Sequence, residues 1–338
     1  MAPVAINARA AVRREIGGVE RVARELVARL PALKPDRYRV IAPNPSLTGA
    51  RGHAWEQFAL PALARGSRMI LSPANVAPVA SNRSVVMIYD IAPFVGDWYS
   101  PAYARWHRAL VPRVARRARL VLTASQVVRA QLCEILGLDP AKVATVPLGV
   151  DERFAAPVDR ESVTGRFDLR RPYVLAVGSD LPRKNLALLD RIGPRLAEEG
   201  LDVVLAGSTR TYMPQGHYAA RRLGYIHDDD LPALYAGAAA LAVPSLYEGF
   251  GLGCLEAMAA GTPVVAADRG ALPETCGEAA LIVDPDDEDA FADAILRAAA
   301  PGPERDGLVS RGRERARGFT WARTTTSVDD HLEPLLVG

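Results

Sequence analysis

The chain has 338 residues, a length typical of about two domains of ordinary size. Its 41 Lys and Arg residues balance 39 Asp and Glu residues, giving a net charge of +2 without a basic or acidic tail, which argues against bulk nucleic-acid binding. The three cysteines are widely spaced and odd in number, so we predict neither a disulfide framework nor a metal cluster built on cysteine.

The sequence contains no apolar segment near the roughly 18 residues of a membrane-spanning helix, and its N-terminal residues lack the apolar core of a signal peptide. We therefore expect a cytoplasmic protein. Residues 94–120 combine aromatic side chains with six arginines, which suits peripheral contact with an anionic membrane near a lipid-linked acceptor. A solvated helix face with a few buried rings is the alternative.

Short apolar runs alternate with helical or irregular stretches along the whole chain. Those predicted to be strands are 4–7, 38–42, 69–72, 85–89, 120–123 and 143–146, then 173–177, 201–207, 241–244, 264–267 and 281–283. Repeated βα units predict α/β architecture, with parallel sheets covered on both faces. The polar passage 151–170 is predicted to be an irregular linker between two domains.

The first strand is followed by Gly17 and Gly18, and then by a segment with helical spacing of its apolar residues. Backbone without side chains at the start of a βα unit lets a ligand approach closely. The alternative is that the two glycines only permit a tight turn.

The central stretch of the chain is 241–285. A strand ends at a turn that holds Glu248 to Gly251, and residues 252–260 are predicted to be a helix that Gly261 and Pro263 terminate. The glycines of this turn leave bare backbone at a helix N-terminus, which favours an anion such as phosphate.

Two carboxylates frame this turn. Glu248 and Glu256 are eight residues apart, so both can face the mouth of one crevice, where hydroxyls of ribose or of a sugar suit them. An ordinary βα turn with two solvated glutamates is the alternative. A dinucleotide fingerprint fails because Cys254 stands where its third glycine belongs, and no P-loop motif occurs.

The paired glutamates in E-GFGLGCL-E, followed by AMAAGTPVVAADRGALPE, resemble the signature of the retaining glycosyltransferase family 4. The resemblance implies the GT-B fold, in which two Rossmann-like domains face each other across a cleft. Residues 1–160 would form the acceptor-binding domain, 161–316 the nucleotide-sugar-binding domain, and 317–338 a C-terminal helix that crosses back to the first.

Arg183 and Lys184 lie together before a helix that begins near Asn185, which we expect to cap it. Two cations at this place would neutralise a departing diphosphate without a metal ion, and the family has an Arg and a Lys there. A surface basic pair is the alternative.

The resemblance also implies a set of site residues. In the family, backbone after a Gly-aromatic step holds the nucleotide base, which points to Tyr225 and Ile226. The predicted catalytic residues are Arg183, Lys184, Glu248 and Asp90. The predicted donor-binding residues are Gly17, Gly18, Gly178, Arg183, Lys184, Tyr225, Ile226, Leu231, Glu248, Gly249, Phe250, Gly251, Leu252 and Glu256.

The chain departs from the family at one position. A His-Asp pair commonly follows the fourth strand, but here Tyr89 precedes Asp90. A phenol can donate a hydrogen bond to a sugar hydroxyl, yet it cannot accept a proton near neutral pH as imidazole can. Asp90 is therefore predicted to contact acceptor or sugar, with a structural aspartate at a strand end as the alternative.

No metal and no cofactor beyond the donor substrate is expected. The run Asp228 to Asp230 precedes a predicted helix, where acids favour the helix dipole, so we interpret it as a polar turn.

We expect a retaining, metal-independent hexosyltransferase that uses a nucleoside-diphosphate sugar. The segment WEQFALPAL resembles bacterial mannosyltransferases, which makes GDP-mannose the first donor to consider. The acceptor would be a glycan, glycolipid or small molecule in the biosynthesis of surface polysaccharide, glycolipid or a glycosylated natural product. A nucleotide-sugar epimerase of the same fold and a catalytically silent relative remain alternatives, whereas a nicotinamide dehydrogenase lacks its fingerprint.

Overall fold

The computed structural model describes residues 4–47, 49–207 and 220–337. The chain divides into two compact units, which are described separately. The first unit comprises residues 4–95, Ala102–Leu148 and 321–337, and the second comprises Gly96–Pro101 and Gly149–Thr320. These limits differ from the predicted domain boundary at residue 160, and they place the final helix with the first unit.

The first unit contains a six-stranded sheet. Its strands are β1 (Val4–Asn7), β2 (Tyr38–Ile41), β3 (Met69–Ser72), β4 (Ser84–Met87), β5 (Leu120–Thr123) and β6 (Val143–Thr145). They are all parallel, in the order β2-β1-β3-β4-β5-β6. Every residue of β1, β3, β4 and β5 is buried, as predicted for a parallel sheet covered on both faces.

Helices surround this sheet. They are α1 (Gly18–Leu33), α2 (Gly49–Ala54), α3 (Leu60–Leu63), α4 (Ala92–Val95), α5 (Pro101–Arg117) and α6 (Gln126–Leu136). A five-residue π-helical turn, Trp55–Ala59, joins α2 to α3. Ser125 caps α6 by accepting a hydrogen bond from the amide of Val128, and Gly137 ends it in the left-handed conformation. The apolar faces of α5 and α6 pack with β4 and β5 in one core cluster.

The second unit contains another parallel six-stranded sheet. Its strands are β7 (Tyr173–Val177), β8 (Asp202–Ala206), β9 (Arg221–Gly224), β10 (Ala240–Val243), β11 (Val264–Ala267) and β12 (Leu281–Val283). The order β9-β8-β7-β10-β11-β12 is that of a Rossmann sheet. Strand β9 was not predicted, because its two arginines and its exposed edge position give it no apolar run.

The helices of the second unit are α7 (Arg160–Arg166), α8 (Leu186–Glu198), α9 (Leu231–Gly237), α10 (Leu252–Ala260), α11 (Leu272–Cys276), α12 (Glu288–Ala299) and α13 (Pro303–Arg317). The prediction of an irregular linker at 151–170 was wrong, since α7 lies within it and packs against α9. Helix α10 spans the predicted residues. Gly261 ends it with a φ of +79°, and seven successive residues of the helix are buried.

The last helix, α14 (Trp321–Val337), packs against α1 of the first unit. Its buried Asp329 accepts a hydrogen bond from Arg37 at 2.9 Å and lies 2.6 Å from the Nζ of Lys34. Two cations thus fix one buried carboxylate, which anchors the helix to the start of the chain.

Each sheet has one point where the strand order reverses direction. In the second unit it lies between β7 and β10, and in the first between β1 and β3. In open α/β sheets, ligands bind outside the carboxyl ends of the strands at this point. We therefore expect ligand-binding residues in the loops that follow these four strands.

Among the described residues, no helix combines the length and the apolar character that crossing a lipid bilayer requires.

Candidate functional site

The loop after β7 is folded tightly onto itself. Gly178 has a φ of +148°, and a Cβ there would lie 3.2 Å from the Cε of Lys184. Gly207, directly after β8, packs against this loop. A Cβ at Gly207 would lie 1.8 Å from the carbonyl oxygen of Gly178, so position 207 requires glycine. Buried Asp180 accepts hydrogen bonds from Arg222 of β9 at 3.1 and 3.2 Å, which ties the loop to the sheet edge.

Arg183 and Lys184 lie in a short 3-10 turn, Pro182–Lys184, just before α8. Asn185 occupies the N-cap position of α8 but has a φ of +50°, and its side chain makes no capping hydrogen bond. The predicted capping by Asn185 was therefore wrong, because the left-handed backbone directs its side chain away from the helix amides.

Glu248, in the loop after β10, accepts hydrogen bonds from both cations. Nη1 of Arg183 lies 3.1 Å from Oε2, and Nζ of Lys184 bonds to Oε1. Ser245 donates a further hydrogen bond of 2.9 Å to Oε1. Strands β7 and β10 are neighbours, so the predicted groups meet where the strand order reverses.

The charge of Glu248 is strongly stabilised. Burial by itself raises the pKa of this carboxyl, but the charges of Lys184 and Arg183 and hydrogen bonds from Lys184 and Ser245 outweigh it and lower the pKa to about 2. The group is therefore an anion at any physiological pH.

Backbone contacts fix the loop that carries Glu248. The amide of Leu246 donates to the carbonyl of Arg183 at 2.7 Å, and Arg183 donates to the carbonyl of Tyr247 at 2.8 Å. Gly270 approaches so closely that a Cβ there would lie 2.4 Å from the carbonyl oxygen of Glu248. The ring of Trp98 stacks on Tyr247 with centroids 6.0 Å apart. The carboxylate is thus held by a rigid frame.

Helix α10 begins at the predicted turn. Gly249 and Phe250 are buried, Leu252 is the first helical residue, and Gly251 at the N-cap has a φ of +98°. As a glycine, Gly251 has no side chain with which to cap the helix. The positive end of the helix dipole lies at this turn, and binding of a phosphate there stays a prediction.

Glu256 lies inside α10 and is buried. The hydroxyl of buried Tyr235 donates a 2.9 Å hydrogen bond to its Oε2. The prediction that its carboxylate binds hydroxyls of ribose or of a sugar is not tested by this placement. Tyr235, like Ser245 and Asp180, was missed by sequence reasoning, because each acts through a neighbour that only the fold brings close.

Tyr225 and Ile226 directly follow β9, and Leu231 opens α9. Tyr225 is exposed, whereas Ile226 and Leu231 are buried. Strand β9 is next to β8, so these residues lie at the same carboxyl edge as Gly207. Their predicted contact with the nucleotide base is not tested by this placement.

The two glycines Gly17 and Gly18, predicted to bind the donor, belong to the first unit. Gly17 is the N-cap of α1, and its amide donates to Oε2 of Glu20 at 3.2 Å. Gly18 is the first residue of α1, not part of a loop. A Cβ at Gly18 would meet nothing within 4 Å.

Tyr89 and Asp90 follow β4. The hydroxyl of Tyr89 donates to the carbonyl of Pro73 at 3.1 Å in a buried position, and burial raises the pKa of this phenol. The hydroxyl of Tyr89 is therefore already bonded inside the unit. Asp90 accepts a 3.0 Å hydrogen bond from the amide of Ala92 at the start of α4, which fits the structural alternative.

A histidine that the sequence did not single out lies close to Asp90. His107 of α5 is buried, and its ring stacks on Tyr103 with centroids 5.7 Å apart. Burial lowers the pKa of His107, while the charge of Asp90 opposes that shift.

The aspartates before α9 make ion pairs. Arg153 lies 2.6 Å from Asp228, and Arg166 lies 2.7 Å from Asp230. Another acidic group, Asp329, Asp330 and Glu333, holds its carboxylates within 4.8 Å of one another, but Lys34 and Arg37 pair with Asp329 and Glu333. That no metal is needed stays a prediction.

The stretch predicted to touch a membrane is largely helix α5. Of its aromatic residues, Trp98 stacks on Tyr247, and Phe94 packs against the core and His107. Trp106 keeps 36% of its surface exposed. Membrane contact stays a prediction.

Comparisons with known proteins agree with this architecture. Residues 171–300 match the family described as glycosyl transferases group 1, and residues 90–154 match glycosyltransferase family 4. The chain is 31% identical to O-antigen chain mannosyltransferase B of Escherichia coli, over 74% of this chain and 70% of that protein. It is 33% identical to an MMP alpha-(1->4)-mannosyltransferase of Mycolicibacterium hassiacum, over 66% of this chain and 56% of that protein.

Solved structures share the fold. Sucrose-phosphate synthase from Thermosynechococcus elongatus superposes with a TM-score of 0.79 at 20% identity, with both chains fully covered. HepE from Anabaena, solved with UDP-glucose, superposes with a TM-score of 0.76 at 18% identity, over 98% of this chain and 99% of that one. The fold class is therefore GT-B, and the chain belongs to glycosyltransferase family 4.

Proposed function

We propose that the chain is a retaining glycosyltransferase that moves a hexose from a nucleoside-diphosphate sugar to an acceptor hydroxyl without a metal ion. The observation that carries this proposal is the grouping of Arg183, Lys184 and Glu248 at the point of strand reversal between β7 and β10.

The charge of this group fits a departing diphosphate. Two cations and one carboxylate leave an excess of one positive charge, beside the N-terminus of α10. Fixed cations and helix dipoles stabilise the negative charge that grows on a leaving phosphate, since they need no reorganisation at the moment of reaction. This arrangement supports metal independence.

Glu248 has one acceptor position beyond its three described hydrogen bonds. A carboxylate offers about four acceptor positions. Lys184 and Ser245 bond to Oε1 and Arg183 bonds to Oε2, so Oε2 can accept a hydroxyl of the transferred hexose. A carboxylate held by two cations is a weak nucleophile, so we assign Glu248 to sugar binding.

The proposed reaction keeps the anomeric configuration because the acceptor attacks the face from which the diphosphate leaves. The bond from the anomeric carbon to the phosphate oxygen breaks, and a bond to the acceptor oxygen forms. The acceptor proton passes to the departing phosphate oxygen. Arg183 and Lys184 stabilise the nucleoside diphosphate that results.

Mannose from GDP-mannose is the first donor that we propose, because two relatives above 30% identity are mannosyltransferases. HepE, which shares only the fold, was solved with UDP-glucose, so UDP-hexoses come next. For the acceptor we propose a glycan, glycolipid or small molecule, as expected for the biosynthesis of a surface polysaccharide, a glycolipid or a glycosylated natural product.

The first experiment is a thermal-shift screen against GDP, UDP, dTDP and ADP and their sugars, with and without EDTA. A ligand at 100 times its Kd stabilises the folded state by about 2.7 kcal/mol, which raises Tm measurably. We expect one nucleotide to stand out and EDTA to leave the shift unchanged. A shift that EDTA abolishes would contradict metal independence, and no shift with any nucleotide would contradict the donor site.

The reaction itself is tested with the nucleotide sugar that binds. Release of nucleoside diphosphate should depend on an added alkyl glycoside, and NMR of the product should show the anomeric configuration of the donor. An inverted product would rule out retention. An isomerised nucleotide sugar formed without acceptor would show an epimerase instead.

A further inference from the structure

The first unit has its own polar cluster where its strand order reverses, between β1 and β3. Asn7 ends β1 and Ser72 ends β3, and the side-chain amide of Asn7 donates to the hydroxyl of Ser72 at 3.3 Å. The same amide donates to Oε1 of Glu56 at 2.6 Å. This is the place in an open α/β sheet where a ligand is expected.

Glu56 is wholly buried, in the π-helical turn Trp55–Ala59. Such turns are rare and occur frequently at functional sites. Its Oε2 lies 3.2 Å from the Nε of buried Arg9. A buried carboxylate is expensive unless it is paired, so this ion pair fixes Glu56 in one position.

His53 is the member of this cluster that reaches the surface. Its Nδ1 lies 3.6 Å from Oε2 of Glu56 and is buried, although 31% of the side chain is exposed. The exposed part of the side chain therefore consists of atoms other than Nδ1. The 3.6 Å separation is too long for a hydrogen bond, but the negative charge of Glu56 favours the imidazole proton at Nδ1, which leaves Nε2 to accept a hydrogen bond from an external partner.

An aromatic surface adjoins His53. The rings of His53 and Trp106 meet edge to face, with centroids 4.9 Å apart. Tyr103 and His107 pack against Trp106 at 5.9 and 6.2 Å. Trp106 is thus held in place, and about a third of it is exposed.

This pair has the chemistry of a sugar site. One face of a pyranose ring carries C–H groups that pack on an aromatic ring, and its hydroxyls require hydrogen-bond partners such as imidazole. Tyr89 does not supply such a partner, because its hydroxyl bonds to Pro73 inside the unit.

We propose that His53 and Trp106 bind the acceptor sugar, and that Glu56 is a positioning residue that orients the imidazole of His53. Trp106 contacts the apolar face of a pyranose, and His53 bonds to one of its hydroxyls. The inference rests on the proposed glycosyltransferase function and names the acceptor as a sugar.

The test compares His53→Asn, Trp106→Leu and Glu56→Gln with wild type. The donor is the nucleotide sugar found by thermal shift, and the acceptors are octyl glycosides of mannose, glucose, galactose and N-acetylglucosamine. His331→Asn is the matched control, because His331 of α14 bonds within its own helix to the carbonyl of Ser327, 2.7 Å from Nδ1.

His53→Asn and Trp106→Leu should each raise the KM for the octyl glycoside about five- to tenfold, the loss expected for one hydrogen bond or one ring contact. The KM for donor and the slow hydrolysis of donor without acceptor should change less than twofold. Glu56→Gln should raise the KM for the octyl glycoside to a similar extent as His53→Asn. If Glu56→Gln does not fold, the two surface variants decide the question.

An unchanged acceptor KM in both surface variants would overturn the inference. A loss of acceptor-independent donor hydrolysis as large as the loss of transfer would also overturn the inference, because it would indicate a structural effect. Wild-type transfer to a hydroxyl of a non-sugar acceptor but to none of the glycosides would also overturn it while leaving the transferase function intact. Failure of wild type to bind any nucleotide sugar would instead contradict the proposed function.

Discussion

Helices α1 and α10 begin alike in sequence and differently in structure. Each follows a strand of a parallel sheet, and each has glycine at its N-cap, Gly17 in α1 and Gly251 in α10. At α1 the amide of Gly17 is bonded to Glu20, whose other oxygen bonds to Arg13 at 2.8 Å. At α10 Gly251 makes no side-chain cap bond, and the described contacts include no capping box.

The difference comes from the third helical residue. In α1 this residue is Glu20, which reaches back to the N-cap amide and forms half of a capping box. In α10 it is Cys254, which cannot do so and is buried. Glycine at the N-cap therefore allows a ligand to approach the backbone closely. The residue three positions later indicates whether a side chain already bonds to the N-cap amide.

Replacing the two cations near the start of α10 should have the largest effect, which is on turnover. Lys184→Ala and Arg183→Ala should each lower turnover by about one to three orders of magnitude, since each cation is expected to supply a few kcal/mol to the leaving diphosphate. The rate of nucleoside-diphosphate release at saturating donor measures the turnover. Arg191→Ala is the control, because Arg191 is an exposed cation of the same unit, paired with Glu288 at 2.6 Å. Full activity in both variants would remove the two cations from the mechanism.

The second effect is a dependence of stability on pH. The pKa of Glu248 is lowered from an ordinary 4.5 to about 2, a difference that corresponds to about 3 kcal/mol. Because the folded-state value is the lower one, this stability is present above pH 4.5 and is lost as the pH falls towards 2. Urea unfolding of wild type and Glu248→Gln at pH 7, 5, 4 and 3 should show a difference that shrinks with acid.

Glu288→Gln removes an exposed ion pair and is the control for that series. Its difference from wild type should stay below about 1 kcal/mol at every pH. A wild-type advantage over Glu248→Gln that is constant from pH 7 to 3 would show that the carboxyl of Glu248 is not held by its two cations.

Local sequence patterns predicted most of the sheet because parallel strands are buried and apolar. Apolar patterns did not predict β9, because Arg221 and Arg222 lie at an exposed edge of the sheet. They did not predict α7 either, because it lies in the polar passage before β7. The end of α10 was predicted correctly, because Gly261 and Pro263 are strong local stop signals.

The sites differ in how much the sequence reveals. Arg183, Lys184 and Glu248 lie in two separate motifs, and only the adjacency of β7 and β10 brings them together. The inward hydroxyl of Tyr89 and the contact of His53 with Glu56 depend on neighbours distant in sequence or on a π-helical turn, so no local period predicts them.

A third, smaller effect contrasts the two glycine-rich helix starts directly. Gly251→Ala should destabilise the fold by about 2 kcal/mol, because φ is +98° and a Cβ would lie 2.9 Å from Leu272. Gly18→Ala should stabilise it by about 0.5 to 1 kcal/mol, since a Cβ there meets nothing within 4 Å and the unfolded chain loses freedom. Urea unfolding measures both, and equal costs would contradict the contrast.

The smallest effect concerns the capping box of α1. Glu20→Ala should lower the free energy of unfolding by about 1 kcal/mol, because the amide of Gly17 loses its acceptor. Glu20→Gln, which keeps an oxygen acceptor but loses the charge that attracts Arg13, should cost less than Glu20→Ala. A cost near zero for Glu20→Ala would mean that Glu20 does not hold this amide. The start of α1 would then offer open backbone as α10 does, and the third helical residue would no longer explain why the two ends differ.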